Sequence, residues 1–111
     1  MKKYLALYMA SAADFEKMMK EATPEQQKQG MEEWRKWANK HRGEIVELGA
    51  PLGKTKKVTK GGVEAMKNQV GGYTIVQANS HEEAAKIFGS AHFMMPGSWI
   101  EVMEIREIPE M

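Results

Sequence analysis

The sequence GGYTIVQANSHEEAAKIF, residues 71–88, carries the clearest signal of architecture in the chain. Tyr73–Ala78 follows two glycines and is rich in aromatic and β-branched residues, which predicts a strand. Ser80 with Glu83 three residues later has the pattern of a capping box, which predicts that a helix begins there. Gly89 then ends that helix. We therefore expect a strand followed directly by a helix, whose inner face consists of Ala84, Ala85, Ile87 and Phe88.

The start of the chain predicts another strand followed by helices. Lys3–Met9 is largely apolar on both of its faces, which is typical of a strand covered on both sides. Ser11 can cap a short helix. Thr23–Gln26, with the sequence TPEQ, is a second capping box with proline at the first helical position. The helix that follows should run to about His41 and end at Gly43, with an inner face of Met31, Trp34, Trp37, Ala38 and His41.

Three further segments complete the predicted order. Glu44–Leu48 is a strand, Lys54–Met66 has the pattern of a lysine-rich β-hairpin turned at Gly61-Gly62, and Trp99–Ile108 is the last strand. Without the hairpin, the order is βαββαβ, the ferredoxin-like pattern of the α+β class. We therefore predict a ferredoxin-like domain with an extra β-hairpin.

The predicted sheet has apolar residues on both faces. Right-handed crossovers place Lys3–Met9 and Tyr73–Ala78 in the middle of an antiparallel sheet, with both helices on one face. Apolar residues of both parities in the first and last strands imply that the second face is also buried. Another copy of the same sheet is the simplest cover, so we expect a homodimer that buries two sheets face to face.

Composition limits the class of protein. The 111 residues suit a single domain spanning 1–111, and the 42% apolar share is enough for a packed core. There are no cysteines, and 16 Lys and Arg balance 15 Asp and Glu, which does not favour nucleic acid as a partner.

No apolar run approaches the ~20 residues of a membrane span. Tyrosines interrupt the apolar run of MKKYLALYMASA, so we interpret it as a first strand rather than a signal peptide and expect a cytoplasmic protein.

Four segments together resemble the YCII-related family. They are TPEQQKQGMEEWRKW, ELGAPLGKTKKVT, GGYTIVQANSHEEAAKIF and HFMMPGSWIEVMEI, and the resemblance extends from Tyr4 to Ile108. It implies a ferredoxin-like fold that dimerises into an α/β barrel, in a family whose members mostly have no assigned function. One branch has a proposed catalytic His and Asp, with the histidine early in the first long helix. Here Pro24–Gln29, with the sequence PEQQKQ, contains no histidine, and Ser90 stands where close relatives have the first histidine of His-Pro-His.

Four residues are candidates for a site. His92 precedes the last strand, and imidazole titrates near neutral pH, so it is a candidate acid or base. Glu101 lies among apolar neighbours, where a carboxylate must find a donor or take up a proton. Tyr8 and Tyr73 are candidate binding residues, with a pocket between sheet and helices or at the mouth of the barrel. An enzyme built this way would transfer protons on a small organic substrate, with Glu101 orienting His92 or acting as a second base, and would need no cofactor.

Structural roles for the same residues remain open alternatives. His92 can instead hold the Pro96-Gly97 turn, and Glu101 can be a structural partner at the dimer seam. The protein would then be a non-catalytic dimeric structural, interaction or ligand-sensing module. His41 is expected to be a packed capping residue and His81 to be exposed. The histidines have neither i, i+4 nor H-x-H spacing, so no metal site is predicted.

Five lysines surround the predicted hairpin. They could attract an anionic ligand, or they could keep an exposed edge strand from pairing with other chains. The second account is the more economical. The lysines are Lys54, Lys56, Lys57, Lys60 and Lys67.

Overall fold

The computed structural model describes residues 1–89 and 97–108. Within them lie three helices and six strands, so the predicted α+β class is confirmed. The elements are β1 (Lys2–Met9), α1 (Ala12–Glu21), α2 (Pro24–Lys40), β2 (Ile45–Glu47), β3 (Thr55–Thr59), β4 (Gly62–Met66), β5 (Val70–Ala78), α3 (His81–Lys86) and β6 (Trp99–Glu104).

The predicted helix starts are confirmed, because each depends on residues close in sequence. The hydroxyls of Ser11 and Ser80 each accept a hydrogen bond from the backbone N–H three residues later, at 3.1 Å. Thr23 and Gln26 form both bonds of the capping box. The predicted stop at Gly43 is wrong. Helix α2 ends at Lys40, and His41 caps it by donating its backbone N–H to Trp37 O.

Four strands form one sheet in the order β2-β5-β1-β6, with every neighbouring pair antiparallel. The two strands expected in the middle are in the middle. Tyr4 pairs with Val76 on one side and with Glu104 on the other. The last strand was expected to reach Ile108 but ends at Glu104. Its pairing with β1 stops at Tyr4 and Glu104, and one further bond between the two segments runs from Ile105 N to Lys3 O at 3.0 Å.

Helices α2 and α3 pack against one face of the sheet, the helix face. Trp37 of α2 is buried there, and its Nε1 donates to Ile87 O at 2.8 Å, which links α2 to the end of α3. The expected inner face of α2 needs one correction. Met31 is 62% exposed, because the sheet and α3 reach only the later turns of this helix. The core cluster consists of Tyr4, Trp37, Val76, Ala78, Ala84 and Ile87.

The opposite face of the sheet is apolar and partly exposed, and we call it the open face. Phe15 of α1 covers its end by packing against Gly71. The molecule is only 19 Å thick, which fits one sheet with one layer of helices about 10 Å across. The residues that alternate onto the open face from the three longest strands include Leu5, Leu7, Tyr73, Ile75, Trp99, Glu101 and Met103, with Lys3 and Gln77 at the end away from Phe15.

The predicted hairpin forms a separate two-stranded sheet, β3 with β4. Thr59 pairs with Gly62, so the turn residues are Lys60 and Gly61, one position earlier than expected. Every residue of the two strands except Thr55 is exposed. The Cα radius of gyration is 15.7 Å, against about 13 Å for a compact domain of this length.

No helix in residues 1–89 and 97–108 is long and apolar enough to cross a membrane.

Candidate functional site

Glu101 lies on the open face in β6, directly opposite Leu7 of β1. Its side chain is exposed, and its Oε2 accepts a hydrogen bond from Trp99 Nε1 at 2.8 Å. The expected donor for this carboxylate is therefore an indole N–H two residues earlier on the same strand face. Among the contacts that the structure describes, Oε1 is the oxygen that could accept a second donor.

Tyr73 lies on the same face, opposite Leu7 from the other side. Its hydroxyl donates to Glu47 Oε1 of β2 at 2.8 Å. The hydrogen bond to Glu47 and the negative charge of that carboxylate raise the pKa of Tyr73 above its ordinary value. The phenol therefore holds its proton more firmly than a free tyrosine does.

Together these residues form a row across the open face, with Leu7 between two polar pairs. The pairs are Tyr73 with Glu47 and Glu101 with Trp99. Adjacent strands are about 4.8 Å apart, so the backbones of Tyr73 and Glu101 are separated by roughly 10 Å. Carboxylate oxygens stand on both sides of an apolar centre, an arrangement that can accept hydrogen bonds from a small molecule lying over Leu7.

Sequence reasoning missed Glu47 and the role of Trp99. The signal for Glu47 was present, because it stands between Val46 and Leu48 in an apolar strand, as Glu101 stands between Ile100 and Val102. The donors could not be assigned from sequence. Tyr73 and Glu47 are 26 residues apart, and only strand pairing brings them together.

Tyr8 lies on the helix face, away from the other candidates. It pairs with Gly72, so the next residue of β5, Tyr73, points to the opposite side of the sheet. Tyr8 and Tyr73 therefore do not line one pocket within a subunit. Tyr8 instead contacts Trp34 edge-on, with ring centroids 5.1 Å apart, and Phe88 at 6.1 Å.

The Tyr8 hydroxyl is part of a short chain of hydrogen bonds. Thr74 donates its one hydroxyl proton to Leu48 O at 2.8 Å, so Tyr8 must donate to Thr74 Oγ1, at 2.5 Å. Burial raises the pKa of Tyr8, and the hydrogen bond to Thr74 opposes that effect in part. These contacts give Tyr8 a structural role between sheet and helices.

His92 lies outside the residues that the structure describes, so its distance from Glu101 stays untested. The other histidines have structural partners. The ring of His81 stacks on Tyr4 at 5.1 Å, and its Nε2 donates to Val102 O at 2.7 Å, which joins α3 to β6. His41 caps α2, and its Nδ1 lies 2.9 Å from Glu44 Oε1. In the described part of the chain, no three His, Asp or Glu side chains cluster as metal ligands would.

A shallow groove of about 360 Å³ lies at the other end of the core. Ala78 and Ile87 form its buried floor, and His41, Glu44 and Lys86 are among its rim residues. It contains none of the predicted site residues that the structure describes, and it is open to solvent. It gives no enclosed site for a ligand.

No known protein family model and no curated protein sequence matches this chain. What the open face can bind is therefore inferred from the residues of this chain alone.

Proposed function

We propose that the protein is a small-molecule-binding homodimer of the YCII-related type. Each subunit is ferredoxin-like, and two open faces pack together as a dimeric α/β barrel. The strand order β2-β5-β1-β6 supports this arrangement, because it is the order that βαββαβ connections produce once the hairpin is left out. The observation that carries the proposal is the open face itself, an apolar surface that holds two polar pairs.

The apolar content of the open face supports a second copy as its cover. Trp99 is 36% exposed and Met103 40% exposed, beside the half-buried Leu5, Leu7 and Ile75. A contiguous apolar patch of more than a few hundred Å² on a protein surface marks an interaction site. Burial of such area stabilises an interface by about 25 cal/mol per Å² before the costs of association.

The polar pairs support one class of ligand. Glu47 and Glu101 accept hydrogen bonds, and Leu7 between them supplies apolar contact. A small organic molecule with an apolar body and an amine or hydroxyl donor fits this pattern. It would lie between the two sheets, near the mouth of the barrel.

The geometry favours binding over proton transfer. The raised pKa of Tyr73 makes it a weaker acid, and its proton is already donated to Glu47. Glu101 accepts from an indole N–H, which holds its orientation without needing a catalytic partner. A ligand-binding or ligand-sensing role therefore needs fewer additional groups than an enzymatic one.

Sedimentation of the wild-type chain and two matched variants tests the dimer. We expect wild type to sediment as a dimer and Ile75→Glu, which buries a charge in the interface, to be a folded monomer. Met31→Glu makes the same kind of change on the exposed side of α2 and should stay dimeric. A wild-type monomer at micromolar concentration would contradict the proposed assembly.

A thermal-shift screen with small organic amines and alcohols tests the ligand site, because a ligand that binds only the native state raises Tm. For a compound that binds, Tyr73→Phe and Glu101→Gln should each weaken Kd about tenfold, through the loss of hydrogen bonds to or from charged groups. Tyr8→Phe, on the helix face, should leave Kd unchanged. Equal effects in all three variants would count against a site on the open face.

A further inference from the structure

We infer that the β3–β4 hairpin of each subunit packs on the partner subunit, with its Val58 and Val63 face against the Trp99 end of β6 and Lys56 paired with Glu101. The inference rests on the proposed face-to-face dimer and adds the element and the ion pair that would close its edge. Three features of the chain carry it, namely the exposure of the hairpin, its two unlike faces and the composition of β6, together with the twofold symmetry of the proposed dimer.

The hairpin is an arm with exposed apolar side chains. Val58 and Val63 pair across the two strands and are 73% and 66% exposed. A two-stranded hairpin is at best marginally stable alone in water. Its only hydrogen bond from a side chain beyond the hairpin, among the described contacts, is from Asn68 Nδ2 to Thr55 Oγ1 at 3.1 Å. An additional packing surface would stabilise it.

The two faces of the hairpin differ in charge balance. On one face Lys57 lies directly opposite Glu64, so its charge is compensated across the strands. On the other face Lys56 lies opposite Ala65, two positions from the Val58–Val63 pair. Within the described residues, this second face is an apolar patch whose Lys56 forms no ion pair and has no carboxylate opposite it in the hairpin. It fits a surface that is apolar with one negative charge.

The exposed side of β6 has that composition. Trp99, Glu101 and Met103 alternate onto the open face, and Glu101 is the carboxylate among them. Among the described contacts its Oε2 accepts from Trp99 Nε1, and Oε1, with two lone pairs, can accept both Lys56 Nζ and a ligand donor. The indole of Trp99 can in turn cover Val58 and Val63.

Twofold symmetry places these two surfaces together. The hairpin leaves the sheet at the β2 edge, at the end where β5 begins, and β6 begins at the same end, since Met9 pairs with both Val70 and Trp99. An axis parallel to the strands brings the β2 edge of one copy beside the β6 edge of the other. An axis across the strands would instead place the β2 edge of one copy beside the β2 edge of the other, away from β6.

Zero-length carbodiimide cross-linking of a mixture of ¹⁴N and ¹⁵N protein tests the contact with native residues. The reagent joins a lysine amine to a carboxylate only when they touch, and mixed-isotope peptides prove that two chains are linked. We expect a mixed-isotope Lys56–Glu101 peptide as the main intermolecular product, and little product from Lys57 or Lys60.

Charge reversal supplies the energetic test. Lys56→Glu and Glu101→Lys should each weaken the dimer about fivefold, as for an exposed ion pair. The double variant should recover most of the loss, and Lys60→Glu, which makes the same charge change in the turn, should have no effect. A dimer without the cross-link and without this pattern overturns the hairpin contact and leaves the proposed function standing. A monomeric wild-type chain overturns both.

Discussion

Gly49 and Gly53 bracket the bend after β2, and only one of them requires glycine. Gly49 has φ +79°, and a Cβ there would lie 1.8 Å from Tyr73 O. No atom of the described residues lies within 4 Å of a Cβ at Gly53. The close approach of Gly49 to β5 is what lets Thr74 donate to the neighbouring Leu48 O.

We expect Gly49→Ala to lower the free energy of unfolding by more than about 2 kcal/mol, because both the left-handed backbone and the clash oppose a side chain. Gly53→Ala should change it by less than about 0.5 kcal/mol. Urea denaturation of the two variants measures the difference. Equal losses would show that the bend has another conformation.

Tyr8 makes stability depend on pH at the alkaline end. Burial raises its pKa above the ordinary value of 10.0, so the folded state holds a proton that the unfolded state releases. The contribution of this proton to the free energy of unfolding is intact below pH 10 and is lost as the pH rises further. Tyr8→Phe should cost about 1 kcal/mol at pH 7 through the lost hydrogen bond, and its free energy of unfolding should fall less steeply between pH 9 and pH 11. Parallel curves for variant and wild type would contradict this account.

At the scale of elements, the order of strands and helices and the first residues of the helices could be predicted from sequence. The last residues of β6 and α2 could not. Caps depend on hydrogen bonds over three residues, as at Thr23 and Gln26, so the sequence contains the whole cause. The end of β6 depends on how far its pairing with β1 continues, which is a property of two strands distant in the chain. The same holds for α2, whose periodicity could not show how many of its turns meet the sheet.

Met31 and Trp37 both fit the apolar stripe of α2, but only Trp37 is buried. Substitution of each residue measures what that burial contributes. Trp37→Phe should lower the free energy of unfolding by about 2–3 kcal/mol, because it leaves Ile87 O without its donor and creates a cavity. Met31→Ala should change it by less than about 0.5 kcal/mol, since Met31 is already exposed. Similar losses in the two variants would mean that the first turns of α2 are also buried.

For the whole molecule, the proposed dimer links stability to protein concentration. If folding and association are coupled, a hundredfold dilution removes about 2.7 kcal/mol of stabilisation, which lowers Tm by roughly 5–10 °C. Ile75→Glu, as a monomer, should have a Tm that does not change with concentration. Calorimetry over that range measures both, and a wild-type Tm independent of dilution would contradict coupled association.

The candidate site was predicted only in part. Glu101 and Tyr73 could be selected as a carboxylate and a phenol in apolar strands, and they share the open face. Tyr8 had the same appearance in sequence but lies on the other face, because its register against β5 aligns it with Gly72. The partners Glu47 and Trp99 depend on pairing and side-chain direction, which one sequence does not specify.

The sequence by itself determined the α+β class, the order of strands and helices, the N-caps of the helices and the hairpin, because propensity, periodicity and capping act within a few residues. Only the tertiary structure decided which strand parity meets the helices, which of Tyr8 and Tyr73 joins Glu101, and that Lys56 has no carboxylate opposite it. Each of these follows from register between segments distant in the chain. A shift of one residue would move every side chain of a strand to the other face, and no local signal controls that choice.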